Sequence, residues 1–275
     1  VARKELSEDT RLYTFKLPDN KAILGLATCK HIQVGFHMKD QMVVRSYTPT
    51  RPVFPSLDGA PERLDPSQAE KVKSHADPHD GDGTFELVVK TYFPTADQPG
   101  GAMSNILDCM PIGEEVEIRG PTGEIEYQGD GNFFIEGEKK KYSSVSLVLG
   151  GSGVTPGFAL VARAVLEHTA GTGELRVSVV DANKSEKDIL LKKELDDLVQ
   201  KSDGRLKVTH ILSSPSDDWR GLKGHVNEEV LRNALFPPGP DTAAFVCGPP
   251  TMMQKAVMPA LRGWGYKEDV DLFGF

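Results

Sequence analysis

The sequence predicts a two-part protein: an antiparallel β-barrel followed by a Rossmann-like α/β unit with a parallel sheet. Three observations carry this. Short β-branched and aromatic alternations fill the first half, and strand-like and helix-like segments alternate through the second. The change falls near residues 129–142, where GDGN and the EGEKKK run separate the two patterns. A chain of 275 residues is also long for one core, so two domains of ordinary size are expected.

In chain order, strands are expected at 10–17, 31–36, 42–48, 84–93 and 114–119, each bounded by Gly, Pro or Asp. Met103, Ile106, Leu107 and Met110 have helical spacing and predict one short helix able to plug a small barrel. Between Arg51 and Gly83 the chain is heavy in Pro, Asp and Gly and nearly free of periodic apolar residues, which reads as a long surface insertion. The second half then predicts strand 144–149, helix 156–168, strand 174–180, helix 186–200, strand 205–212, helix 226–234, strand 242–247 and helix 251–262. Strands alternating with helices mean βαβ crossovers and a parallel sheet covered on both faces.

Composition removes several function classes. The net charge of −8 argues against nucleic acid or an anionic membrane as partner. The longest apolar runs, 145–149 and 158–166, fall far short of the roughly 20 residues a bilayer span needs. Cys29, Cys109 and Cys247 are odd in number and widely spaced, which predicts free thiols, a reducing and hence cytoplasmic setting, and no metal site. His75 and His79 read as solvated loop residues. The opening VARKELSEDT has neither an initiator Met nor a basic-then-apolar leader, so a fragment of a longer polypeptide is expected.

Four stretches carry candidate chemistry. GGSGVTP (150–156) follows the first strand of the parallel sheet and opens its first helix, at the carboxyl edge where such sheets bind nucleotides. Its glycines permit close approach, and a helix N-terminus favours a pyrophosphate. It lacks the GxGxxG spacing, so a tight strand-to-helix connection is the competing reading. CGPP (247–250) ends the last predicted strand in the same way, although a lone Cys is commonly a small buried hydrophobe. Arg45-Ser46-Tyr47-Thr48 closes a strand with a guanidinium fork suited to phosphate and a ring suited to a flat aromatic ligand; an exposed strand end is the alternative. The fourth, PGGAMS (99–104), leads into the barrel's helix and supplies a second anion-binding N-terminus. One dinucleotide site in each half, facing the other across a cleft, is the economical interpretation.

These residues resemble a known family. RSYTPT, LVVKTYF, GGAMSN, RGPTG, GGSGVTP and CGPP, in this order, are similar to the ferredoxin–NADP reductase superfamily and to its cytochrome b5 reductase branch, across essentially the whole chain. The aromatic ending VDLFGF fits the same pattern. HIQVGFHMKD, QPGGAMSN, VDANKSEKDILL, GLKGHVNEE and QKAVMPALRGWGY resemble the carboxyl-terminal flavin module of fungal assimilatory nitrate reductases. The insertion after Arg51 departs from both patterns, and Ser46 stands where relatives commonly carry Pro.

The resemblance implies an FAD-binding barrel over 1–137 and an NAD(P)H-binding domain over 138–275. It implies that Arg45, Ser46, Tyr47 and Thr48 hold FAD, with Thr48 near the reactive flavin nitrogen and His31 behind it. Val88, Lys90 and Phe93 match a second flavin contact, and Gly101, Ala102, Met103 and Ser104 the pyrophosphate turn. Gly151, Gly153, Thr155 and Pro156 match the nicotinamide side, while Cys247, Gly248, Pro249 and Met252 match residues that position the ring. Cys247, Thr48 and His31 are the catalytic candidates, with Cys247 orienting rather than reacting.

The implied reaction is hydride transfer from NAD(P)H to FAD, then single electrons to a b5-type heme domain upstream in the same polypeptide. The resemblance also allows a homodimer of the intact enzyme. Ser213 aligns with an Asp that NADH-specific relatives use against a 2′-phosphate, so NADPH use at least equal to NADH is expected, with Arg220 and Lys223 as candidate cationic partners. A stand-alone NADH-cytochrome b5 reductase and a non-enzymatic nucleotide-binding module remain the alternatives.

Overall fold

In a computed structural model of the chain, residues 1–19, 22, 24–39, 41–51, 82–96 and 99–275 are described. The first half consists of two three-stranded antiparallel sheets. One has the order β1 (Ala2–Ser7), β2 (Thr10–Lys16), β5 (Thr84–Lys90), and the other β4 (Gln41–Tyr47), β3 (His31–Met38), β6 (Glu117–Thr122). They share a core of Tyr13, Ile32, Val34, Phe85, Leu87 and Val89, closed by Met103 and Leu107 of helix α1 (Ala102–Cys109). Strand alternation directs what matters for the site. Phe85, Leu87 and Val89 enter this core, so Val88 and Lys90 point to the opposite face, where Val88 joins the cluster shared with the second half.

The second half is one parallel sheet of order β13 (Leu222–Lys223), β12 (Leu206–Leu212), β11 (Arg176–Asn183), β10 (Ser144–Gly150), β14 (Thr242–Cys247), β15 (Leu272–Gly274). All seven residues of β10 are buried, as befits a central parallel strand covered on both faces. Val145, Leu147 and Leu149 pack with α2 (Val154–Thr169) and α3 (Lys192–Lys201), whereas Val148 packs on the opposite face with α4 (Glu228–Ala234) and α6 (Met258–Trp264). Between β14 and α6 the chain forms a short α5 (Pro250–Met252) and a π-helical turn, Met253–Val257.

Several expectations shift. The segment near 129–142, where the pattern changes, carries an antiparallel sheet that was not expected, β7 (Ile125–Gly129), β8 (Asn132–Ile135) and β9 (Glu138–Lys141). GDGN makes the turn between its first two strands. The sheet is tied to α2 from within: Arg163 donates to Glu167 at 2.6 Å, and Glu167 accepts from the Tyr127 hydroxyl at 2.7 Å and the Asp130 amide at 3.1 Å.

The single helix expected at 186–200 divides into a 3-10 turn, Glu186–Asp188, and α3, because Leu191 takes a left-handed conformation (φ 55°). Ile189 and Leu190 are buried in the short link between them. Asn227 caps α4 by accepting from the Val230 amide at 3.0 Å, so that helix starts later than its apolar pattern. Strands β1, β13 and β15 were not expected. Apart from Arg51, Asp82 and Gly83, the predicted insertion over 51–83, with His75 and His79, lies outside the described residues.

Candidate functional site

The two halves meet at a cleft of about 900 Å³. Four chain turns supply its walls. The end of β4 brings Arg45, Ser46, Tyr47 and Thr48, with His31 of β3 alongside; β5 brings Val88, Val89 and Lys90. The start of α1 brings Gly100 to Ser104, and the carboxyl edge of the parallel sheet brings Gly150–Gly153, Thr155, Pro156 and Cys247–Pro250.

Local chemistry differs around the cleft. Arg45 donates to the Val44 carbonyl at 2.7 Å, and no carboxylate pairs with it among the described residues, which leaves its charge for an anionic ligand. Burial pushes the Tyr47 phenol up to about 12, so it stays a neutral donor. Burial, then the Lys30 charge, lowers the His31 imidazole and keeps it neutral near pH 7. Burial also pushes the Cys247 thiol up to about 11, which makes it a poor nucleophile at neutral pH.

The glycine turns pass a test of fit for nucleotides. At Gly100 φ is +79°, and an added Cβ would lie 2.6 Å from the Tyr92 carbonyl oxygen. That backbone packing turns the chain into α1, whose N-cap Gly101 makes no side-chain cap hydrogen bond. The first amides of α1 therefore open on the cleft as a site for a pyrophosphate. At Gly153 an added Cβ would lie 2.6 Å from the Cys247 carbonyl carbon, so the two sheet-edge turns touch and form one continuous wall. An aromatic ligand has Tyr47 and the 53% exposed Tyr92 beside it. This donor set suits FAD on the barrel side and a nicotinamide dinucleotide on the sheet side.

Three expected residues do not line the cleft. Phe93 is 44% exposed outside it, and its neighbour Tyr92 takes the place. Met252 packs behind Gly150, where an added Cβ would lie 2.9 Å from its sulfur. Ser213 follows β12, its amide donating to the Asn183 carbonyl at 3.1 Å. Pairing of β12 with β13 sets Lys223 opposite Leu212, and the Ser214 amide donates to the Lys184 carbonyl at 2.7 Å. Two lysines thus flank the Ser213 turn.

Sequence reasoning missed Cys29, Tyr92, Ser152 and Phe275 as cleft residues. Cys29 sits in a left-handed turn (φ 76°) beside His31, where burial drives its thiol far up. Phe275 stacks on Phe245 with ring centres 5.4 Å apart, and its amide donates to Val246. The aromatic ending was visible, whereas its return to the cleft is a product of the sheet order.

Comparison with known proteins agrees with this geometry. Residues 1–55 and 66–127 match the oxidoreductase FAD-binding domain, and residues 147–258 match the oxidoreductase NAD-binding domain. The chain is 36% identical over 282 residues to a nitrate reductase [NADH] of Lotus japonicus, covering 100% of this chain and 28% of that protein. It is 35% identical over 272 residues to nitrate reductase [NADH] 1 of Zea mays, covering 97% of this chain and 39% of that protein. The chain therefore spans well under half the length of these curated relatives.

Among solved structures, the cytochrome b5 reductase domain of Ulva prolifera nitrate reductase aligns with a TM-score of 0.84 at 27% identity, covering 100% of this chain and 94% of that one. The CS-b5R domains of human Ncb5or share the fold, with a TM-score of 0.72 at 21% identity, covering 100% of this chain and 67% of that one. The antiparallel half is an FAD-binding domain and the parallel half a NAD-binding domain, and the chain belongs to the cytochrome b5 reductase-like oxidoreductases of the ferredoxin–NADP reductase fold, akin to the reductase module of nitrate reductases.

Proposed function

We propose that the chain takes hydride from NAD(P)H onto FAD and delivers single electrons to a b5-type heme domain, as the reductase module of a nitrate reductase of the fungal assimilatory type. The observation that carries this is the facing of two glycine turns from different halves, Gly100–Gly101 and Gly150–Gly153, across one cleft. Bound FAD supplies the electron chemistry, accepting electrons in pairs and releasing them one at a time. The protein's part is binding, orientation and exclusion of water.

In this reading residues 1–137 hold FAD and residues 138–275 hold the nicotinamide dinucleotide. Arg45 and the α1 amides take the flavin nucleotide's phosphates, while Tyr47 and Thr48 bear on its ring with neutral His31 behind. Val88 and Lys90 line the same wall with Tyr92, and Phe93 lies outside it. Gly151, Gly153, Thr155 and Pro156 receive the nicotinamide side. Cys247, Gly248 and Pro249, backed by Met252, fix the ring's angle, and Cys247 stays a thiol throughout.

The test is direct. Purified chain loaded with FAD is expected to be yellow and to reduce ferricyanide with reduced nicotinamide, without reducing nitrate. Nitrate reduction by this chain alone, or failure to take up FAD, overturns the reading. Ser213, in a turn beside Lys184 and Lys223, supports NADPH use at least equal to NADH, since position 213 itself carries a hydroxyl in place of a carboxylate that would repel a 2′-phosphate, and the nearby Glu186 carboxylate is engaged by Ser216. Ser213→Asp is expected to cost NADPH about 1–3 kcal/mol in kcat/KM and to favour NADH. A wild type already strongly NADH-selective would remove Ser213 from this role.

A further inference from the structure

We propose that Asp188 is a positioning residue, a carboxylate of the nucleotide half that grips Lys90 of the flavin half and so fixes how the two walls of the cleft face each other. The inference rests on the functional reading for what enters the cleft, and on geometry alone for the grip.

Lys90 is the last residue of β5 and lines the cleft. Its ammonium lies 2.8 Å from Asp188 Oδ1 and 3.0 Å from Asp9 Oδ2. These two carboxylates come from opposite halves. Asp9 belongs to the turn joining β1 and β2, anchored where its carbonyl accepts from the Thr91 amide at 2.6 Å. Asp188 ends the 3-10 turn after β11.

Asp188 is held before it ever meets the lysine. Its Oδ2 accepts from the Ser185 hydroxyl at 2.6 Å and the Ser185 amide at 3.0 Å, closing a capping box and leaving Oδ1 aimed across the interface. A carboxylate fixed by its own backbone loses little side-chain freedom on pairing, so its bond transmits the position of the turn to the lysine. Side-chain exposures of 14% for Asp188 and 20% for Lys90 set the pair apart from a solvated surface bridge. The Lys187–Glu8 pair crosses the same seam at 3.6 Å, but it is largely exposed and adds little.

Asp9 supplies the control. It touches the same ammonium from the lysine's own half, so removing it alters charge without releasing the seam. In the FAD-loaded full chain, Asp188→Asn is expected to raise amide hydrogen exchange in residues 185–191 and in the 7–10 turn with flavin content unchanged. It is also expected to slow flavin reduction several-fold at saturating NAD(P)H. Asp188→Glu should restore much of both, and Asp9→Asn, which acts directly on the 7–10 turn through the Ser7 and Thr10 hydroxyls, should leave exchange in residues 185–191 and the reduction rate near wild type. Unchanged exchange in Asp188→Asn overturns the grip, and an equal effect from Asp9→Asn reduces it to local charge balance and overturns it too. Raised exchange with an unchanged reduction rate overturns the positioning role. If exchange responds while even the wild type fails to accept hydride, the grip stands and the functional reading falls.

Discussion

The two halves solve burial in opposite ways. Every residue of β10 is buried, because α2 and α3 cover one face of the parallel sheet while α4 and α6 cover the other. In the barrel half β4 is largely exposed or half-buried, and Met42, Tyr92, Phe93 and Ile118 are 50%, 53%, 44% and 38% exposed. Antiparallel sheets need only one packed face, so this half can leave apolar and aromatic surface beside a cleft. The nucleotide half covers its central strand largely with its own helices, whereas the flavin half leaves Tyr92 open beside the cleft, where a bound flavin would cover it. Stability of the first half should therefore follow its ligand, and that of the second should not.

The strongest challenge to this comparison is the buried joint between the halves. Glu167 of α2 is 2% exposed and pairs with Arg163 while also binding Tyr127 and Asp130 of the β7–β8 hairpin. Glu167→Ala leaves a buried guanidinium without this carboxylate and is expected to cost about 3–5 kcal/mol. Denaturant unfolding should show one lowered transition if the joint couples the halves. Two separated transitions, with only the second lowered, would show that each half stands alone.

Removal of flavin should act on one half only. Relative to protein holding FAD at a hundredfold its Kd, stripped protein is expected to lose about 2.7 kcal/mol. Hydrogen exchange should place that loss in β3, β4 and α1 and leave β10 and β11 protected. Equal loss of protection in both sheets would break the comparison.

Gly153→Ala probes the sheet edge, where the new methyl would press on the Cys247 carbonyl. An overpacking cost of about 1–3 kcal/mol is expected. Flavin content should be retained, while flavin reduction by NAD(P)H drops steeply. Loss of flavin in this variant would mean that the two sites are not separable.

The smallest expected effect is that of acid on the seam. Burial is the largest single influence and alone would raise Asp9 and Asp188, but the hydrogen bond and charge of Lys90, together with the Ser7 and Thr10 hydroxyls at Asp9 and the Ser185 bonds at Asp188, jointly outweigh it and hold both carboxyls below their usual value. Their contribution is complete above the ordinary Asp pKa of about 3.9 and is lost as pH falls through the lower folded values. Lys90 is shifted the other way: burial acts to lower it, and the bonds to Asp188 and Asp9 raise it. Its contribution is complete below the ordinary Lys pKa of about 10.4 and is lost as pH rises through the higher folded value. Exchange in residues 185–191, corrected for the intrinsic pH dependence, should stay flat between those limits and rise in acid. A flat profile down to pH 3 would mean that the carboxylates do not hold the seam.

By itself the sequence determined the order of strands and helices in the second half, the glycine turns at its carboxyl edge, and the chemistry of Arg45–Thr48 and Gly101–Ser104. These are local signals: an apolar period, a helix start and a small residue at a tight turn are written in consecutive residues. The same local reading placed the change of pattern at 129–142 but did not show that β7 to β9 pair there, nor that Glu167 reaches back from α2, because these contacts join residues that no short run brings together. It carried one helix through Leu191, because apolar spacing does not report a left-handed backbone. Only the tertiary structure decided that Phe275 and Cys29 join the cleft, that Lys184 and Lys223 flank Ser213, and that Lys90 meets Asp188. Each of these depends on which strands become neighbours, and that choice is made by burying whole faces of the sheets rather than by any short run of residues.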